Sequence, residues 1–279
     1  MPRYRLIAID IDGTLLDSRS ELRPAVRDAV RRATDAGLLV ILSTGRRYRT
    51  ALEVAQAIDL PLPLVCHSGA LVKEAGTHRT LLAHPIPRPD LELLLAAFAE
   101  HQLTPLVYTD TFESGVDFYI QQGAPLTRFH EDYLSKNDGW YRAVPSLPEG
   151  LPGDAVQTCT FAEIEHLRAA RPRITERLGG RTTCHLLHSA KYIGDFLEFQ
   201  AGAASKWAAI TELARSHGIA HEEIVAIGDD ENDISMLRAA GLGVAMGNAS
   251  YRVKSAAHVA TASNDEDGVA RVIEHVLGS

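Results

Sequence analysis

The sequence predicts an α/β protein whose parallel β-sheet is covered by helices and interrupted by a smaller α+β domain. Short apolar runs alternate with helical patterns in the first third of the 279 residues and again in the last third, which is typical of a parallel sheet. Between these parts the pattern is mixed, and proline and glycine are more frequent. We therefore expect a core formed by residues 1–83 and 190–279, with residues 84–189 as the inserted domain.

The first third predicts three strands from short apolar runs, and the continuous run at residues 38–42 is expected of a strand that is covered on both faces. These runs span residues 6–9, 38–42 and 64–66. Two helical patterns lie between them. The first begins at Pro24 and ends before Gly37, as helices commonly do, and the second covers residues 51–58. Residues 70–72 and 80–82 predict a hairpin after the third strand.

The last third repeats the alternation of strands and helices. Helices are predicted at residues 207–217, 234–240 and 268–277, and strands at residues 224–227, 242–246 and 258–261. In the inserted segment and directly after it, helices are predicted at residues 91–98 and 164–178, and strands at residues 106–109, 117–120, 183–188 and 195–199. Strands and helices do not alternate regularly there, so an α+β domain is expected.

Composition and charge narrow the class of protein. Hydrophobic residues make up 46% and charged residues 23% of the chain, which is ordinary for a globular protein. The 28 basic and 36 acidic side chains give a net charge of −8. This balance argues against nucleic acid or an anionic membrane as the main partner, because both bind clustered Lys and Arg.

The cysteines and the N-terminus predict a cytoplasmic protein. Three cysteines, without a Cys-x-x-Cys pair, are typical of free thiols in a reducing compartment. The N-terminal apolar stretch is short and is broken by Asp10 and Asp12, so it does not match a secretory signal. No apolar run reaches the length of a membrane span. Nothing in the sequence indicates an oligomeric state.

Two carboxylates, Asp10 and Asp12, directly follow the first predicted strand, and Gly13 comes next. Open α/β sheets bind ligands just beyond the carboxyl ends of their strands. Carboxylate and carbonyl oxygens there suit a Mg²⁺ ion, and glycine allows the chain to turn sharply. Taken alone, the segment is explained equally well as a polar exit from a strand, since Asp and Gly favour turns.

A second acidic segment, GDDEND at residues 228–233, also follows an apolar strand and precedes a helix. Its four acidic groups repel one another unless a cation or solvent screens them. An acidic helix N-terminus is the structural alternative, because acidic side chains are favoured there by the helix dipole.

Two further signals are weaker by themselves. STGR at residues 43–46 follows a strand, and a hydroxyl with nearby backbone N–H groups suits an anion such as phosphate. A helix N-cap next to a flexible glycine explains the same residues. Lys206 stands before a predicted helix, and a single lysine is far more often a solvated surface residue than a catalytic one.

In this order the four motifs resemble those of the haloacid dehalogenase superfamily: D-x-D-G-T, a strand ending in Ser or Thr, a lysine, and G-D-x-x-N-D. Four ordered motifs rarely coincide by chance. More narrowly, the chain resembles the Cof-type phosphatases, whose type IIB cap is inserted between the second and third motifs. The resemblance implies a Rossmann-like core and an α+β cap that determines substrate specificity. Ser68 stands where Cof-type chains commonly have asparagine, which leaves a substrate contact from this position open.

The resemblance implies a Mg²⁺-dependent phosphatase that acts on a small phosphorylated metabolite, such as a sugar phosphate. Asp10 would attack phosphorus and form an aspartyl-phosphate, and Asp12 would act first as a general acid and then as a general base. Thr44 and Lys206 would hold the phosphoryl oxygens. The further phosphate-binding residues would be Gly45, Arg46 and Asn232.

The same resemblance implies the metal ligands. The Asp10 carboxylate, the Asp12 backbone carbonyl and the Asp229 carboxylate would bind Mg²⁺, and Asp233 would orient these ligands from behind. The acid-base residue and the metal segment argue against a dehalogenase, because expelling a halide needs neither leaving-group protonation nor Mg²⁺.

Two other functions stay open. A phosphotransferase or phosphomutase would share Asp10 and Asp12 but would pass the phosphoryl group to a sugar hydroxyl. A non-catalytic sensor of a phosphometabolite would be expected to have lost at least one catalytic group. Polar residues of the inserted segment and its end are candidates for contacting the substrate and determining specificity, namely Tyr108, His130, Arg142, Lys191 and Tyr192. His185 and His188 are not expected to form a metal pair, since residues three apart on a strand face opposite sides.

Overall fold

The computed structural model describes residues 3–188 and 191–278. The chain forms two compact units: the core unit consists of Met1–Leu82 and Ser205–Ser279, and the cap unit is Ala83–Ala204. The core unit contains an eight-stranded sheet and the cap unit a six-stranded sheet. The predicted α/β fold with a parallel-sheet core is confirmed.

The N-terminal part of the core unit alternates strands and helices. Its elements are β1 (Leu6–Asp10), α1 (Pro24–Asp35), β2 (Leu39–Ser43), α2 (Tyr48–Ile58), β3 (Pro63–Cys66), β4 (Leu71–Glu74) and β5 (Thr80–Ala83). All five residues of β1 are buried, as expected of an unbroken apolar run. On α1 the buried residues are Val26, Ala29, Val30 and Ala33. This spacing places them on one face of the helix.

The described residues of the cap unit form three α-helices and six strands. In chain order they are α3 (Arg88–Glu100), β6 (Leu106–Thr109), β7 (Phe118–Gln121), α4 (Arg128–Ser135), β8 (Tyr141–Val144), β9 (Ala155–Ala162), α5 (Ile164–Leu178), β10 (Thr182–His188) and β11 (Asp195–Ala201). The cap sheet has the order β10-β11-β9-β6-β7-β8. Its neighbouring strands are antiparallel, except that β7 and β8 are parallel.

The cap unit extends further along the chain than residue 189, where we expected the insertion to end. It continues to Ala204, because β11 pairs with both β9 and β10 and therefore belongs to the cap sheet. Helices α3 and α5 cover one face of that sheet, in a core that includes Phe98, Leu167, Leu197 and Phe199.

The chain then returns to the core unit. The remaining elements are α6 (Lys206–Ser216), β12 (Ile224–Gly228), α7 (Ile234–Ala239), β13 (Leu242–Ala245), α8 (Tyr251–Lys254), β14 (Val259–Ala260) and α9 (Gly268–Leu277). The core sheet has the order β14-β13-β12-β1-β2-β3-β4-β5. Its strands from β14 to β3 are parallel, and β4 is antiparallel to β3. The segments that follow β12, β1 and β2 are therefore neighbours at one edge of the sheet.

The cysteines and the lengths of the helices relate to the predicted location of the protein. Cys66, Cys159 and Cys184 are free thiols. Within residues 3–188 and 191–278, no helix combines the length and the apolar character that crossing a membrane requires.

Candidate active site

The predicted site residues of the core unit lie at the carboxyl-terminal edge of the parallel sheet. Asp10 is the last residue of β1 and is paired in register with Ser43 at the end of β2. Asp229 follows β12, whose Ile227 is paired with Ile9 of β1. Polar segments after three neighbouring strands therefore meet at one edge, which is where open α/β sheets bind ligands.

Lys206 joins the first and last of these segments. It is the first residue of α6 and only 2% exposed. Its Nζ donates hydrogen bonds to the carboxylates of Asp10 at 2.6 Å and Asp233 at 2.7 Å, and to the side-chain oxygen of Asn232 at 3.1 Å. An ammonium group has three hydrogens, so these contacts use all of its donors. Lys206 thereby fixes one oxygen of the Asp10 carboxylate.

Asp233 is fully buried and orients its neighbours. Its Oδ1 accepts the hydrogen bond from Lys206. Its Oδ2 accepts hydrogen bonds from the backbone N–H groups of Asp229 and Asp230, each at 3.1 Å. Both oxygens are thus engaged by protein donors, which fixes the backbone at the start of the acidic segment.

The Asp229 carboxylate lies against the turn that follows β1. Its Oδ1 accepts a hydrogen bond from the Thr14 hydroxyl at 2.8 Å. Gly13 has a φ of 78°, a conformation that favours glycine. A Cβ atom at this position would also collide with the Asp229 carboxylate. The turn therefore needs glycine for two independent reasons.

Burial perturbs the titration of these groups. Burial raises the pKa of Asp10 well above its ordinary value, and the Lys206 charge opposes this rise. Burial likewise raises the pKa of Asp229 to about 6. For Lys206, burial lowers the pKa, but the Asp10 and Asp233 carboxylates outweigh it and the pKa lies above its ordinary value. The carboxylates of Asp10 and Asp233 thus share one buried lysine.

The donor set fits a magnesium ion. Side-chain oxygens of Asp10, Asp229 and Asp233 lie within 4.8 Å of one another. Mg²⁺ prefers oxygen ligands and commonly takes one or two carboxylates together with water. Asp233 is fully buried and its two oxygens accept three N–H hydrogen bonds, so the carboxylates of Asp10 and Asp229 have more capacity left for ligation. A divalent cation would offset the excess negative charge at this edge of the sheet.

Asp12 is held by Arg46, the residue expected to bind phosphate. Arg46 Nη2 donates to Asp12 Oδ1 at 2.5 Å, and Arg46 Nε donates to Asp12 Oδ2 at 2.8 Å. Such a bidentate pair fixes the plane of the carboxylate as well as its position. Two of the predicted site residues, Arg46 and Asp12, are therefore in direct contact.

Thr44 is buried beside the same segment. Its backbone N–H donates to the Val65 carbonyl at 2.8 Å, and its Oγ1 accepts a hydrogen bond from the Arg46 backbone N–H at 3.0 Å. Ser68 lies next to it and donates its backbone N–H to the Thr44 carbonyl at 3.0 Å. Ser68 has a φ of 52°, a region in which asparagine is enriched. The asparagine that the resemblance implies at this position would therefore suit its backbone.

Asn248 also contacts the site, although the sequence analysis gave it no role. Its Nδ2 donates to the Gly13 carbonyl at 2.8 Å and lies 3.4 Å from Asp229 Oδ2. Its Oδ1 accepts the backbone N–H of Asn264 at 3.1 Å. A signal was present, because Asn248 follows the apolar strand β13 as the other site residues follow their strands.

Two of the cap residues that were predicted to contact the substrate, Tyr108 and His130, lie in the interior of the cap unit. The Tyr108 and Tyr133 hydroxyls are 2.5 Å apart in the interior. His130 is buried, with Nδ1 2.8 Å from the Thr127 hydroxyl and Nε2 3.0 Å from the Thr104 carbonyl. Burial lowers the pKa of His130. Both His130 nitrogens are engaged, so its role is structural.

The other three candidates lie nearer the surface of the cap unit. Arg142 donates to the Tyr141 carbonyl at 2.8 Å. The Tyr192 ring packs at a tilt of 49° against Tyr133, with ring centroids 4.5 Å apart, and Lys191 is exposed.

The two histidines of β10 were not expected to form a metal pair. His185 pairs in register with Glu198, and His188 pairs with Asp195. Three residues apart on one strand, they face opposite sides of the sheet.

Comparison with known proteins agrees with this geometry. The chain matches the family model of the haloacid dehalogenase-like hydrolases over residues 7–273. It is 28% identical to the pyridoxal phosphate phosphatase YbhA of Escherichia coli (strain K12), over 96% of this chain and 97% of that protein. It is 30% identical to the 5-amino-6-(5-phospho-D-ribitylamino)uracil phosphatase YwtE of Bacillus subtilis (strain 168), over 98% of both chains.

A solved structure shares the fold over nearly the full length. The haloacid dehalogenase-like hydrolase from Bacteroides thetaiotaomicron superimposes with a TM-score of 0.79 at 26% identity, covering 98% of this chain and 99% of that one. Fold and site together define a hydrolase with an α/β core and an inserted cap. The chain belongs to the haloacid dehalogenase-like hydrolases, and within them to the Cof type.

Proposed function

We propose that this chain is a Mg²⁺-dependent phosphatase that hydrolyses a small phosphorylated metabolite through a phosphorylated Asp10. The observation that carries the proposal is the contact between Lys206 and Asp10. A buried lysine that holds one oxygen of a carboxylate leaves the other oxygen with a defined direction, as nucleophilic catalysis requires. The phosphatase names of the relatives support the same class of reaction.

In the first step, an Asp10 oxygen attacks phosphorus and the bond from phosphorus to the leaving oxygen breaks. Asp12 must be protonated at this stage, and it gives that proton to the leaving oxygen, so the product leaves as an alcohol. In the second step, the ionised Asp12 takes a proton from water. The water oxygen then bonds to phosphorus, and the bond to Asp10 breaks. One group serves both steps because the first step leaves it ionised.

The surrounding residues position these groups. Arg46 holds the Asp12 carboxylate through two hydrogen bonds. The Thr44 hydroxyl and the backbone N–H of Gly45 would donate hydrogen bonds to phosphoryl oxygens, whereas Lys206, whose three hydrogens are engaged by Asp10, Asp233 and Asn232, would act through its positive charge. Asn232 supports Lys206.

The proposed metal ligands are the carboxylates of Asp10 and Asp229 and the backbone carbonyl of Asp12. Bound Mg²⁺ would neutralise charge between the phosphate dianion and the attacking carboxylate. Asp233 supports the arrangement by fixing the Asp229 backbone. The chemistry of the donor set is the basis for choosing Mg²⁺.

We further propose that the cap unit determines which leaving group is accepted. The relatives' names point to small phosphorylated substrates, namely pyridoxal phosphate and a phosphoribitylamino-uracil. A cytoplasmic location is proposed as well, because the three free thiols are typical of a reducing compartment.

The proposal is tested by measuring phosphate release from a panel of phosphorylated metabolites, with and without Mg²⁺. The Asp10→Asn variant serves as the control, since it keeps the size of the side chain and removes the nucleophile. We expect release that requires both Mg²⁺ and Asp10. A folded wild-type protein that binds Mg²⁺ but releases no phosphate would favour the sensor, and transfer of phosphate to a sugar hydroxyl would favour the phosphotransferase.

A further inference from the structure

Asn248 reaches from the loop after β13 to the turn that follows β1 (residues 11–16). Its Nδ2 donates a hydrogen bond to the Gly13 carbonyl at 2.8 Å and lies 3.4 Å from Asp229 Oδ2. A side-chain amide carries two N–H hydrogens, so one hydrogen is available for each of these oxygens. One amide nitrogen therefore contacts both the turn and the carboxylate of a proposed metal ligand.

The other half of the Asn248 amide fixes its orientation. Its Oδ1 accepts a hydrogen bond from the backbone N–H of Asn264 at 3.1 Å. If the amide were turned over, Nδ2 would face this N–H group and Oδ1 would face the Gly13 carbonyl. Both contacts would then be repulsive, because the amide nitrogen only donates and its oxygen only accepts. The neighbouring backbone thus sets the direction of the Nδ2 donors.

The backbone next to Asn248 is held as well. The Gly247 N–H donates to the Ala262 carbonyl at 3.0 Å, and the Gly247 carbonyl accepts a hydrogen bond from Lys254 Nζ at 2.6 Å. A side chain can orient other groups only if its own position is fixed by its surroundings. Asn248 meets this condition, because both its amide oxygen and the preceding residue are bonded to the protein.

The far end of the turn after β1 is held by Asn264, which precedes α9. The Asn264 side chain is 7% exposed, and its Nδ2 donates to the Leu16 carbonyl at 2.9 Å. The turn is thus bonded at Gly13 by Asn248 and at Leu16 by Asn264. Because the two asparagines are also bonded to each other, the turn has a fixed position relative to the loops after β13 and before α9.

We propose that Asn248 is a positioning residue, which holds the turn after β1 and the Asp229 carboxylate in the arrangement that binds Mg²⁺. The Asp12 carbonyl belongs to the peptide unit that ends at Gly13, so holding Gly13 restricts the direction of this carbonyl. Without Asn248, the Asp12 carbonyl and the Asp229 carboxylate have more freedom, and ordering them on binding lowers the affinity for the metal. The inference rests on the proposed function, to which it adds a residue outside the four motifs.

The test measures binding of Mg²⁺ alone by calorimetry, without substrate, in the wild type and in Asn248→Ala. We expect the dissociation constant for Mg²⁺ to rise about 3- to 10-fold in the variant, since one or two hydrogen bonds are lost. Asn248 is exposed, so the variant should fold. An unchanged dissociation constant, or a wild type that does not bind Mg²⁺, would overturn the inference.

The matched control is Thr261→Val in the same part of the core unit. The Thr261 hydroxyl donates to the Gly268 carbonyl at 3.1 Å, so this variant also loses a hydrogen bond to a backbone carbonyl. Within the described residues, this hydroxyl is bonded to neither Gly13 nor Asp229. The control should leave Mg²⁺ binding unchanged. An equal loss of affinity in both variants would overturn the inference, because general loosening of the region would explain it.

Phosphate release separates positioning from a merely structural role. In Asn248→Ala, the Mg²⁺ concentration for half-maximal activity should rise by the same factor as the dissociation constant, and kcat at saturating Mg²⁺ should approach that of the wild type. A low kcat at every Mg²⁺ concentration, with unchanged Mg²⁺ dependence, would overturn the inference while the phosphatase activity stands. Weaker Mg²⁺ binding in the variant of a protein that releases no phosphate would support the inference and reject the phosphatase.

A last readout needs neither metal nor substrate. Amide hydrogen exchange in the peptide that covers residues 10–17, measured without Mg²⁺, reports local opening of the turn after β1. We expect this peptide to exchange faster in Asn248→Ala than in Thr261→Val and in the wild type. Equal exchange in all three proteins would overturn the inference, because the turn would then be held without Asn248.

Discussion

Lys206 and Asp10 are 196 residues apart in the chain, and their side chains meet at 2.6 Å in the interior of the core unit. The side chains of both residues are buried, with exposures of 1% and 7%. The contact joins the N-terminal and the C-terminal stretches of the core unit. Because Asp233 shares the same ammonium group, the contact links the proposed nucleophile with the acidic segment after β12.

Removing the ammonium group should damage both stability and activity. Lys206→Met would leave two buried carboxylates without a cation, and breaking such a pair costs about 3–5 kcal/mol. We also expect kcat to fall at least about 100-fold, as when a preorganised donor is lost. Urea unfolding without Mg²⁺ and phosphate release with Mg²⁺ measure the two effects.

The matched control is Lys136→Met in the cap unit. Lys136 is 38% exposed and pairs with Asp132, and surface pairs of this kind contribute less than about 1 kcal/mol. If Lys206→Met were no more harmful than Lys136→Met, the contact with Asp10 would have no special role.

Gly13→Ala should impair metal binding. The added Cβ would collide with the Asp229 carboxylate and would strain a backbone with a φ of 78°. We expect the Mg²⁺ concentration for half-maximal activity to rise about 10- to 100-fold, as for other changes that misorient a metal ligand. Activity measured over a range of Mg²⁺ concentrations gives this value.

Gly37→Ala is the control that separates the effect of backbone strain from the effect of a collision with the Asp229 carboxylate. Gly37 has a φ of 87°, and a Cβ there meets nothing within 4 Å. This variant should lose stability through backbone strain but keep its Mg²⁺ dependence. Equal shifts in Mg²⁺ dependence for both variants would show that the space beside Asp229 is unimportant.

Arg46→Lys should affect proton transfer more than binding. Lysine keeps the charge but cannot form the bidentate contact that holds Asp12. We expect kcat/KM to fall about 10-fold or more for alkyl phosphates, which need a protonated leaving group, and much less for nitrophenyl phosphate. A plot of rate against leaving-group pKa reveals the difference.

The control for this variant is Arg31→Lys, at an exposed pair with Asp59, which should leave the plot unchanged. An equal loss for all leaving groups in Arg46→Lys would mean that Arg46 binds the phosphate without positioning Asp12.

Glu198 should make the cap unit's stability depend on pH. Its carboxyl group ordinarily titrates at 4.5, but burial raises its pKa to about 8 in the folded protein. Between these values the folded state holds the extra proton, so the unfolding free energy falls as the pH rises. The stabilisation is fully present below pH 4.5 and is lost as the pH passes about 8.

Urea unfolding at several pH values measures this dependence. Relative to Glu198→Gln, the wild type should lose more than about 1 kcal/mol between pH 5 and 8. The exposed change Glu165→Gln should leave the dependence as in the wild type. A wild-type curve parallel to that of Glu198→Gln would show that Glu198 titrates normally.

The core unit could be predicted well because its strands carry a simple signal. Strands buried on both faces are unbroken apolar runs, and the runs at residues 6–9 and 224–227 lie within β1 and β12. Parallel strands end at one edge of a sheet, so the residues that follow them could be expected to meet. Asp10 and Asp229 follow two such strands, whereas their shared role as metal ligands was implied by the resemblance to the family.

The cap unit was harder to predict, because its central strand does not have such a run. All eight residues of β9 are buried, but the sequence AVQTCTFA mixes polar and apolar side chains without alternation. Helix α4 and strand β8 were missed as well. Neither the periodicity of a helix nor that of a strand is clear in short, partly exposed elements.

The sequence motifs did not predict which side chains of the site contact one another. The motif pattern assigned Arg46 to phosphate, whereas the structure pairs it with Asp12. It gave no role to Asn248, which contacts both Gly13 and Asp229. A motif fixes which residues are present near the edge of a sheet, but the partner of each depends on side-chain direction and packing.

The most direct test of the account is to trap the phosphorylated enzyme. Wild-type protein is mixed with substrate and Mg²⁺, quenched in acid and reduced with borohydride, which converts an acyl phosphate of aspartate to homoserine. Peptide mass spectrometry then identifies the modified position. The account predicts homoserine at residue 10 in the wild type and none in Asp10→Asn. Phosphate release by the wild type with no modification at residue 10, or modification at another aspartate, would contradict it.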